Sequence, residues 1–130
     1  MKILIADDSK LLRDRLSQLI TELPGEHITY HAKNGYEALE HIKEFKTDVV
    51  ILDIRMPGGG GVEALQQIKK QPSPPFVIMF TNYPYPQYKK KCEQFGADYF
   101  FDKSNELEKL LTLLQTLDQN SFEAIGNSSI

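Results

Sequence analysis

The chain has 130 residues, 41% hydrophobic and 25% charged, a composition that suits one soluble globular domain with a single core. Its formal net charge is -3, from 15 Lys and Arg against 18 Asp and Glu, so it offers no basic footprint for direct nucleic-acid binding. The single cysteine excludes an intramolecular disulfide, and no apolar run approaches the roughly 18 residues of a membrane span. We therefore expect a cytoplasmic protein with no membrane partner.

In the first part of the chain, short apolar runs alternate with helical patterns. Lys2–Ala6 is an apolar run that ends at two aspartates, as expected for a strand buried on both faces of a parallel sheet. Leucine and isoleucine then recur at helical spacing, with Ser9 as the candidate N-cap and Pro24 as the stop. Residues 27–32 alternate as a strand does, and Asn34 opens a second helical pattern.

The middle of the chain continues the same alternation. Residues 48–53 (DVVILD) carry the strongest strand signal, because their centre is apolar and mostly β-branched. Residues 56–61 (MPGGGG) predict a loop, and the third helix that follows is ended by residues 71–75. Residues 76–80 (FVIMF) predict a fourth strand, and residues 83–86 (YPYP) predict a turn, since proline disfavours helix in the residue before it.

The last part of the chain completes the pattern. Residues 88–95 predict a fourth helix with Gly96 at its C-cap, and residues 98–101 predict a short fifth strand. A fifth helix is marked by leucines at helical spacing, namely Leu107, Leu110, Leu111 and Leu114. The remaining residues are mostly small and polar. We therefore predict one domain over residues 1–118 and a loosely held polar C-terminal tail over residues 119–130.

Five strand–helix units in strict alternation predict an α/β fold, with a parallel sheet covered by helices on both faces. Ligands of such sheets bind beyond the carboxyl ends of the strands, where the strand order reverses. Polar side chains follow four of the predicted strands, and these are Asp7, Asp8, Asp53, Thr81 and Lys103. We therefore expect these five side chains to share one crevice.

The residue types in this crevice predict phosphoryl transfer. Three neighbouring carboxylates repel one another and attract a hard cation such as Mg²⁺, while a lysine and a threonine hydroxyl can hold phosphoryl oxygens. Each residue taken alone has an ordinary explanation, as a first-turn helix acid, a strand-end polar residue or a solvated lysine. Their combination at the ends of four strands favours a functional site with a carboxylate nucleophile.

Four stretches resemble the receiver domains of response regulators, namely IADDS, VVILDIRMPGGG, MFTN and GADYFFDKS. The resemblance extends from residue 3 to about residue 117. It implies a flavodoxin-like (βα)₅ fold, doubly wound, with strand order 2-1-3-4-5. It also implies that Asp53 is the phosphoacceptor, and that Asp8, Asp53 and the backbone carbonyl of Arg55 bind Mg²⁺, with Asp7 acting through a metal-bound water.

The resemblance further implies how the site responds to phosphorylation. Lys103 would contact the phosphoryl group, Thr81 would move toward it, and Phe100 would rotate inward as Thr81 moves. The implied donor is a sensor histidine kinase or a phosphotransfer domain, and the implied target is a downstream protein that the sequence does not name. Ser104 stands where the family commonly has proline after the lysine, which leaves the conformation of the Lys103–Ser104 peptide open.

Three functional interpretations differ in class. We favour a stand-alone receiver that acts as a signalling switch rather than as an enzyme. A receiver fragment of a larger DNA-binding regulator is the first alternative. An aspartate-nucleophile phosphohydrolase is less favoured, because such enzymes place the nucleophile after the first strand as Asp-x-Asp and carry an inserted cap. Here the two acidic residues after the first strand are adjacent, at Asp7 and Asp8, and no insertion is long enough for a cap.

Overall fold

A computed structural model describes the backbone of residues 1–58 and 60–128, and the side chains of these residues as far as residue 118. Within these residues five strands alternate with five helices. The strands are β1 (Lys2–Ala6), β2 (Ile28–Ala32), β3 (Val49–Leu52), β4 (Phe76–Thr81) and β5 (Tyr99–Asp102). The helices are α1 (Lys10–Thr21), α2 (Gly35–Glu44), α3 (Gly61–Lys69), α4 (Pro86–Gln94) and α5 (Leu107–Ser128).

The five strands form one parallel sheet in the order β2-β1-β3-β4-β5. Alternate side chains of each strand face opposite sides of the sheet, so the apolar run of β1 contributes to two separate cores. Leu4 and Ala6 pack with side chains of α2, α3 and α4. Ile3 and Ile5 pack with side chains of α1 and α5. The predicted doubly wound, flavodoxin-like fold with strand order 2-1-3-4-5 is confirmed.

Local sequence signals account for several helix and strand ends. The Ser9 hydroxyl caps α1 by accepting a hydrogen bond from the Leu12 N–H at 3.2 Å, as predicted. Helix α4 begins at Pro86, inside the predicted turn, because proline at the first helical position has no N–H to lose. Strand β4 extends one residue beyond the prediction, to Thr81, whose carbonyl accepts from the Lys103 N–H at 2.9 Å.

The last helix is longer than its predicted leucine pattern. The backbone of α5 continues as far as Ser128, beyond the last leucine of the predicted helix. The side chains of residues 119–128, and residues 129 and 130 entirely, lie outside the described residues. The division into a domain over residues 1–118 and a polar tail therefore stays a prediction.

Two further observations concern the described backbone. It contains no cis peptide bond, so the Lys103–Ser104 peptide, which the sequence left open, is trans. Over residues 1–58 and 60–128, the structure has no helix that combines the length and the apolar character needed to cross a membrane.

Candidate functional site

A cleft of about 550 Å³ opens at the carboxyl ends of the strands. Asp7 directly follows β1 and Asp53 directly follows β3, and these two strands are neighbours at the centre of the sheet. The chain leaves β1 for α1 on one face of the sheet and leaves β3 for α3 on the other face. The two connections therefore diverge, and the cleft lies at the point where they separate.

Three carboxylates line this cleft within a short distance of one another. Asp7, Asp8 and Asp53 each offer a carboxylate oxygen, and these oxygens all lie within 4.8 Å of one another. Asp7 and Asp53 are buried, at 3% and 5% exposure, whereas Asp8 is exposed. Clustered carboxylate oxygens are ligands that hard divalent cations prefer. The cluster could therefore hold a metal ion, as the sequence predicted.

Backbone N–H groups orient the two buried carboxylates. Asp7 Oδ1 accepts a hydrogen bond from the Ser9 N–H at 2.9 Å. Asp53 Oδ1 accepts one from the Ile54 N–H at 2.7 Å. Each carboxylate thus has one oxygen held by its own loop and a second oxygen that faces its neighbours. This arrangement holds both side chains in place without neutralising their charges.

Lys103 connects the two buried carboxylates. Its Nζ lies 2.5 Å from Asp7 Oδ2 and 2.9 Å from Asp53 Oδ2, and the lysine side chain is only 11% exposed. Burial by itself lowers the pKa of Lys103, but the hydrogen bonds and negative charges of Asp7 and Asp53 outweigh it, so the pKa lies above its ordinary value. Lys103 is therefore a protonated cation that offsets part of the repulsion between these carboxylates.

The backbone of Gly61, at the start of α3, lies very close to the backbone of Asp53. The Gly61 N–H donates to the Ile54 carbonyl at 2.7 Å, and a Cβ atom at position 61 would lie 1.7 Å from the Asp53 carbonyl oxygen. No side chain other than that of glycine fits this approach. The predicted glycine-rich loop thus ends in a residue that brings the start of α3 against the backbone of Asp53.

Thr81 and Phe100 are not among the described residues that line the cleft. Thr81 is fully buried, and its hydroxyl accepts a hydrogen bond from the Tyr83 N–H at 3.1 Å. Phe100 is half-buried and packs against the core on the side of α2, α3 and α4. The structure therefore brings Asp7, Asp8, Asp53 and Lys103 together, whereas the two predicted switch residues are packed in the interior next to this group without lining the cleft.

The contacts of the Arg55 side chain were not predicted from the sequence, since only the backbone carbonyl of this residue was expected to bind Mg²⁺. The guanidinium carbon lies 4.1 Å from the centroid of the Tyr83 ring, and Nη2 donates to the Tyr88 hydroxyl at 3.2 Å. Arg55 and Tyr83 both line the cleft. The available signal was an arginine two residues after Asp53, combined with the closely spaced tyrosines of the β4–α4 segment.

A second missed contact involves Arg13 of α1. Its Nη1 donates to the Asp7 carbonyl at 2.6 Å, and its Nε donates to His31 Nδ1 at 3.3 Å. The first contact joins α1 to the loop that carries the acidic pair. The sequence did not predict this contact, because helical spacing relates only residues of the same helix and Asp7 lies before α1.

The sheet topology and the cleft place this protein in the class of flavodoxin-like α/β proteins. In this structure the cleft at the carboxyl edge of the sheet is lined by acidic side chains. The family model described as the response regulator receiver domain matches residues 3–115. The chain belongs to this family, and the predicted resemblance is confirmed. It is accordingly a receiver domain of the response regulators of two-component signalling.

Individual relatives agree with this assignment. The chain is 35% identical over 102 residues to the chemotaxis protein CheY of Halobacterium salinarum, covering 78% of this chain and 83% of that protein. It is 43% identical over 82 residues to the positive alginate biosynthesis regulatory protein of Pseudomonas aeruginosa, covering 62% of this chain and 33% of that protein. The crystal structure of the response regulator domain of Thermotoga maritima CheB matches with a TM-score of 0.78 and 30% identity, covering 92% and 94% of the two chains.

The relatives differ in length. The chain spans about a third of several curated relatives that it matches, at 31%, 33% and 31% of their lengths. The similarity therefore concerns the receiver domain, which those proteins combine with further sequence.

Proposed function

We propose that Asp53 is the phosphoacceptor of this receiver, and that its phosphorylation switches a partner-binding surface. The observation that carries the proposal is the Asp53 carboxylate, which is buried, lines the cleft and is held by Lys103 Nζ at 2.9 Å. In the proposed step a carboxylate oxygen of Asp53 attacks the phosphorus of the donor. A new P–O bond forms as the bond from phosphorus to the donor's leaving group breaks.

The donor set of the cleft fits Mg²⁺, which takes oxygen ligands and is commonly held by one or two carboxylates. Asp8, Asp53 and the backbone carbonyl of Arg55 would hold the ion, with Asp7 acting through water. The bound ion would offset the negative charge that accumulates between the carboxylates and the phosphoryl oxygens. Asp8 supports this assignment, since its exposed carboxylate is part of the cluster and has no hydrogen-bond partner within the described residues.

Lys103, Thr81 and Phe100 would respond to the modified Asp53. A phosphoryl group adds about -1.5 to -2 charge and strong acceptor oxygens, by analogy with other phospho-residues. Lys103 pairs with this charge from its position between Asp7 and Asp53. The Thr81 hydroxyl moves toward the new acceptor, and Phe100 turns into the space that Thr81 vacates. The surface near β4 and β5 then differs between the two states.

The proposed donor is a sensor histidine kinase or a phosphotransfer domain, and the proposed target is a downstream protein that binds the switched surface. We propose that the receiver supports only its own phosphorylation and dephosphorylation, without turning over other substrates. The relatives that are longer than this chain leave two arrangements, a stand-alone receiver in the cytoplasm or the receiver of a larger regulator.

Labelling by a small phosphodonor tests the proposal. With acetyl phosphate and Mg²⁺, the protein should gain one acid-labile phosphoryl group, and mass spectrometry after borohydride reduction should locate it at Asp53. Release of inorganic phosphate from simple phosphate esters should not exceed the rate without protein. Rapid, continuous hydrolysis of many esters would instead support a phosphohydrolase, and a label on any other residue would refute the assignment of Asp53.

Mg²⁺ is expected to stabilise the folded protein, because it binds the carboxylate cluster only in the native state. Mass action predicts a gain of about 1 kcal/mol when the Mg²⁺ concentration is roughly five times the dissociation constant. Asp8→Ala should remove most of this gain, whereas Glu40→Ala, which removes an exposed carboxylate of α2, should retain it. Thermal unfolding with and without Mg²⁺ measures the effect. Equal gains in the two variants would contradict the metal assignment.

A further inference from the structure

One arginine connects the loop after β3 to the segment after β4 and to α4. The Arg55 guanidinium carbon lies 4.1 Å from the Tyr83 ring centroid and 5.9 Å from that of Tyr88. Nη2 of Arg55 donates to the Tyr88 hydroxyl at 3.2 Å, and this hydrogen bond is the main reason that the pKa of Arg55 is raised. Tyr85 continues the aromatic cluster, with its ring centroid 5.9 Å from that of Tyr88.

Tyr83, which contacts Arg55, also forms a hydrogen bond with Thr81. The Thr81 hydroxyl accepts from the Tyr83 N–H at 3.1 Å, while the Tyr83 ring lies under the Arg55 guanidinium. Thr81 is fully buried, whereas Tyr83 is half-buried and lines the cleft. For the Thr81 hydroxyl to reach a group on Asp53, it must leave the Tyr83 N–H or the whole segment must move with it. The first route loses the hydrogen bond from the Tyr83 N–H, and the second is opposed by the contact between Arg55 and the Tyr83 ring.

A phosphoryl group on Asp53 would compete for the same arginine. Arg55 lies two residues after Asp53, and both line one cleft. The guanidinium now contacts neutral partners, an aromatic face and a phenol hydroxyl. A phosphoryl group carries negative charge and can accept two parallel N–H bonds from a guanidinium, whereas the aromatic face and the phenol hydroxyl are neutral, so the modified aspartate is the better partner.

We propose that Arg55, Tyr83 and Tyr88 form a latch that stabilises the unphosphorylated conformation, and that a phosphoryl group on Asp53 opens it by drawing Arg55 away. The proposal rests on the proposed function, since it takes Asp53 as the phosphoacceptor and Thr81 as the residue that moves. Opening frees the segment after β4 at the moment when Thr81 gains an acceptor. Because Tyr88 belongs to α4, release of its hydroxyl also transmits the change to that helix.

The latch predicts that removing the Tyr88 hydroxyl makes the active conformation easier to reach. When the competent state is a minor population, apparent affinity for a ligand of that state rises in proportion to the population. Beryllofluoride with Mg²⁺ serves as the probe, the fluoride standing in for the phosphoryl group. Loss of one hydrogen bond from the inactive state should tighten the apparent dissociation constant about threefold in Tyr88→Phe, as measured by isothermal titration calorimetry.

Two comparisons separate the latch from a general effect of the substitution. Tyr85→Phe is the matched control, because it removes a neighbouring hydroxyl that makes no hydrogen bond to Arg55, and its affinity should equal that of the wild type. In an Arg55→Ala background, Tyr88→Phe should no longer change the affinity. This comparison is independent of any direct contribution of Arg55 to fluoride binding.

A second measurement uses the protein without beryllofluoride. The Tyr83 N–H donates a hydrogen bond to the Thr81 hydroxyl. Hydrogen exchange of this amide should be at least threefold faster in Arg55→Ala than in the wild type. Unchanged exchange, or a Tyr88→Phe shift of equal size with and without Arg55, would overturn the latch while leaving Asp53 as the acceptor. A wild-type protein that binds no beryllofluoride would overturn the proposed function and the latch together.

Discussion

Asp53→Asn is expected to abolish acid-labile labelling by acetyl phosphate or by a cognate histidine kinase. The amide has nearly the shape of the carboxylate but no anionic oxygen to attack phosphorus. Its Oδ1 can still accept from the Ile54 N–H, which the carboxylate now does at 2.7 Å. Lys103 keeps Asp7 as an ionic partner at 2.5 Å, so no buried charge is left alone. The variant should therefore stay folded while it loses the label.

The matched control for this substitution is Asp14→Asn. Asp14 is an exposed residue of α1 whose carboxylate pairs with Lys10 at 2.7 Å, so the same chemical change there should leave labelling intact. Phosphate incorporation, measured on both variants under identical donor and Mg²⁺ concentrations, decides the assignment. Labelling of Asp53→Asn at the wild-type level would place the acceptor elsewhere.

Lys103→Met is expected to be the most destabilising of the proposed substitutions. It removes the cation between the buried carboxylates of Asp7 and Asp53 and leaves their mutual repulsion uncompensated. Breaking a buried ion pair by removing one partner costs about 3 kcal/mol or more, and urea unfolding without metal should show a loss of this size. Labelling should fall about a hundredfold or more, the usual effect of losing one donor aimed at charge that develops in the transition state.

Two controls accompany this variant. Lys109→Met removes an exposed lysine paired with Glu106 at 3.0 Å, and its cost should stay below about 0.5 kcal/mol. Mg²⁺ should restore part of the stability lost in Lys103→Met, because it supplies positive charge to the same carboxylates. A Lys103→Met variant as stable as Lys109→Met without metal would show that the lysine does not hold the cluster together.

The α/β architecture was predictable from the order of strand and helix patterns along the chain. Apolar runs of strand length alternate with helical patterns five times, and strands connected by helices pair in parallel. The run at Lys2–Ala6 is apolar on both faces because both faces of its strand are covered, and the structure places it inside the sheet, between β2 and β3. The N-cap Ser9 was also predictable from the sequence, since its hydroxyl acts on an N–H group only three residues away.

The membership of the cleft was predictable for a related reason. Asp7 and Asp53 each follow a strand directly, so a parallel sheet brings them to the same edge whatever the detailed path of the loops. Lys103 follows the last strand in the same way. These three side chains meet because the strands that precede them are parallel and end at the same edge of the sheet. The strands themselves are predictable, because each one is marked by a pattern along its whole length.

Only the tertiary structure decided how these side chains contact one another. Lys103 meets Asp7 and Asp53 across 96 and 50 residues of chain, and its choice of partners depends on the separation of three strand ends and on side-chain rotamers. The same holds for the Arg55 guanidinium on the Tyr83 ring, which joins two loops whose paths no local pattern specifies. By itself the sequence determined which residues reach the carboxyl edge, because strand ends follow from local periodicity and parallel strands all end at the same edge of the sheet. The distances among them had to come from the packed structure, because they depend on contacts between segments that are far apart in the chain.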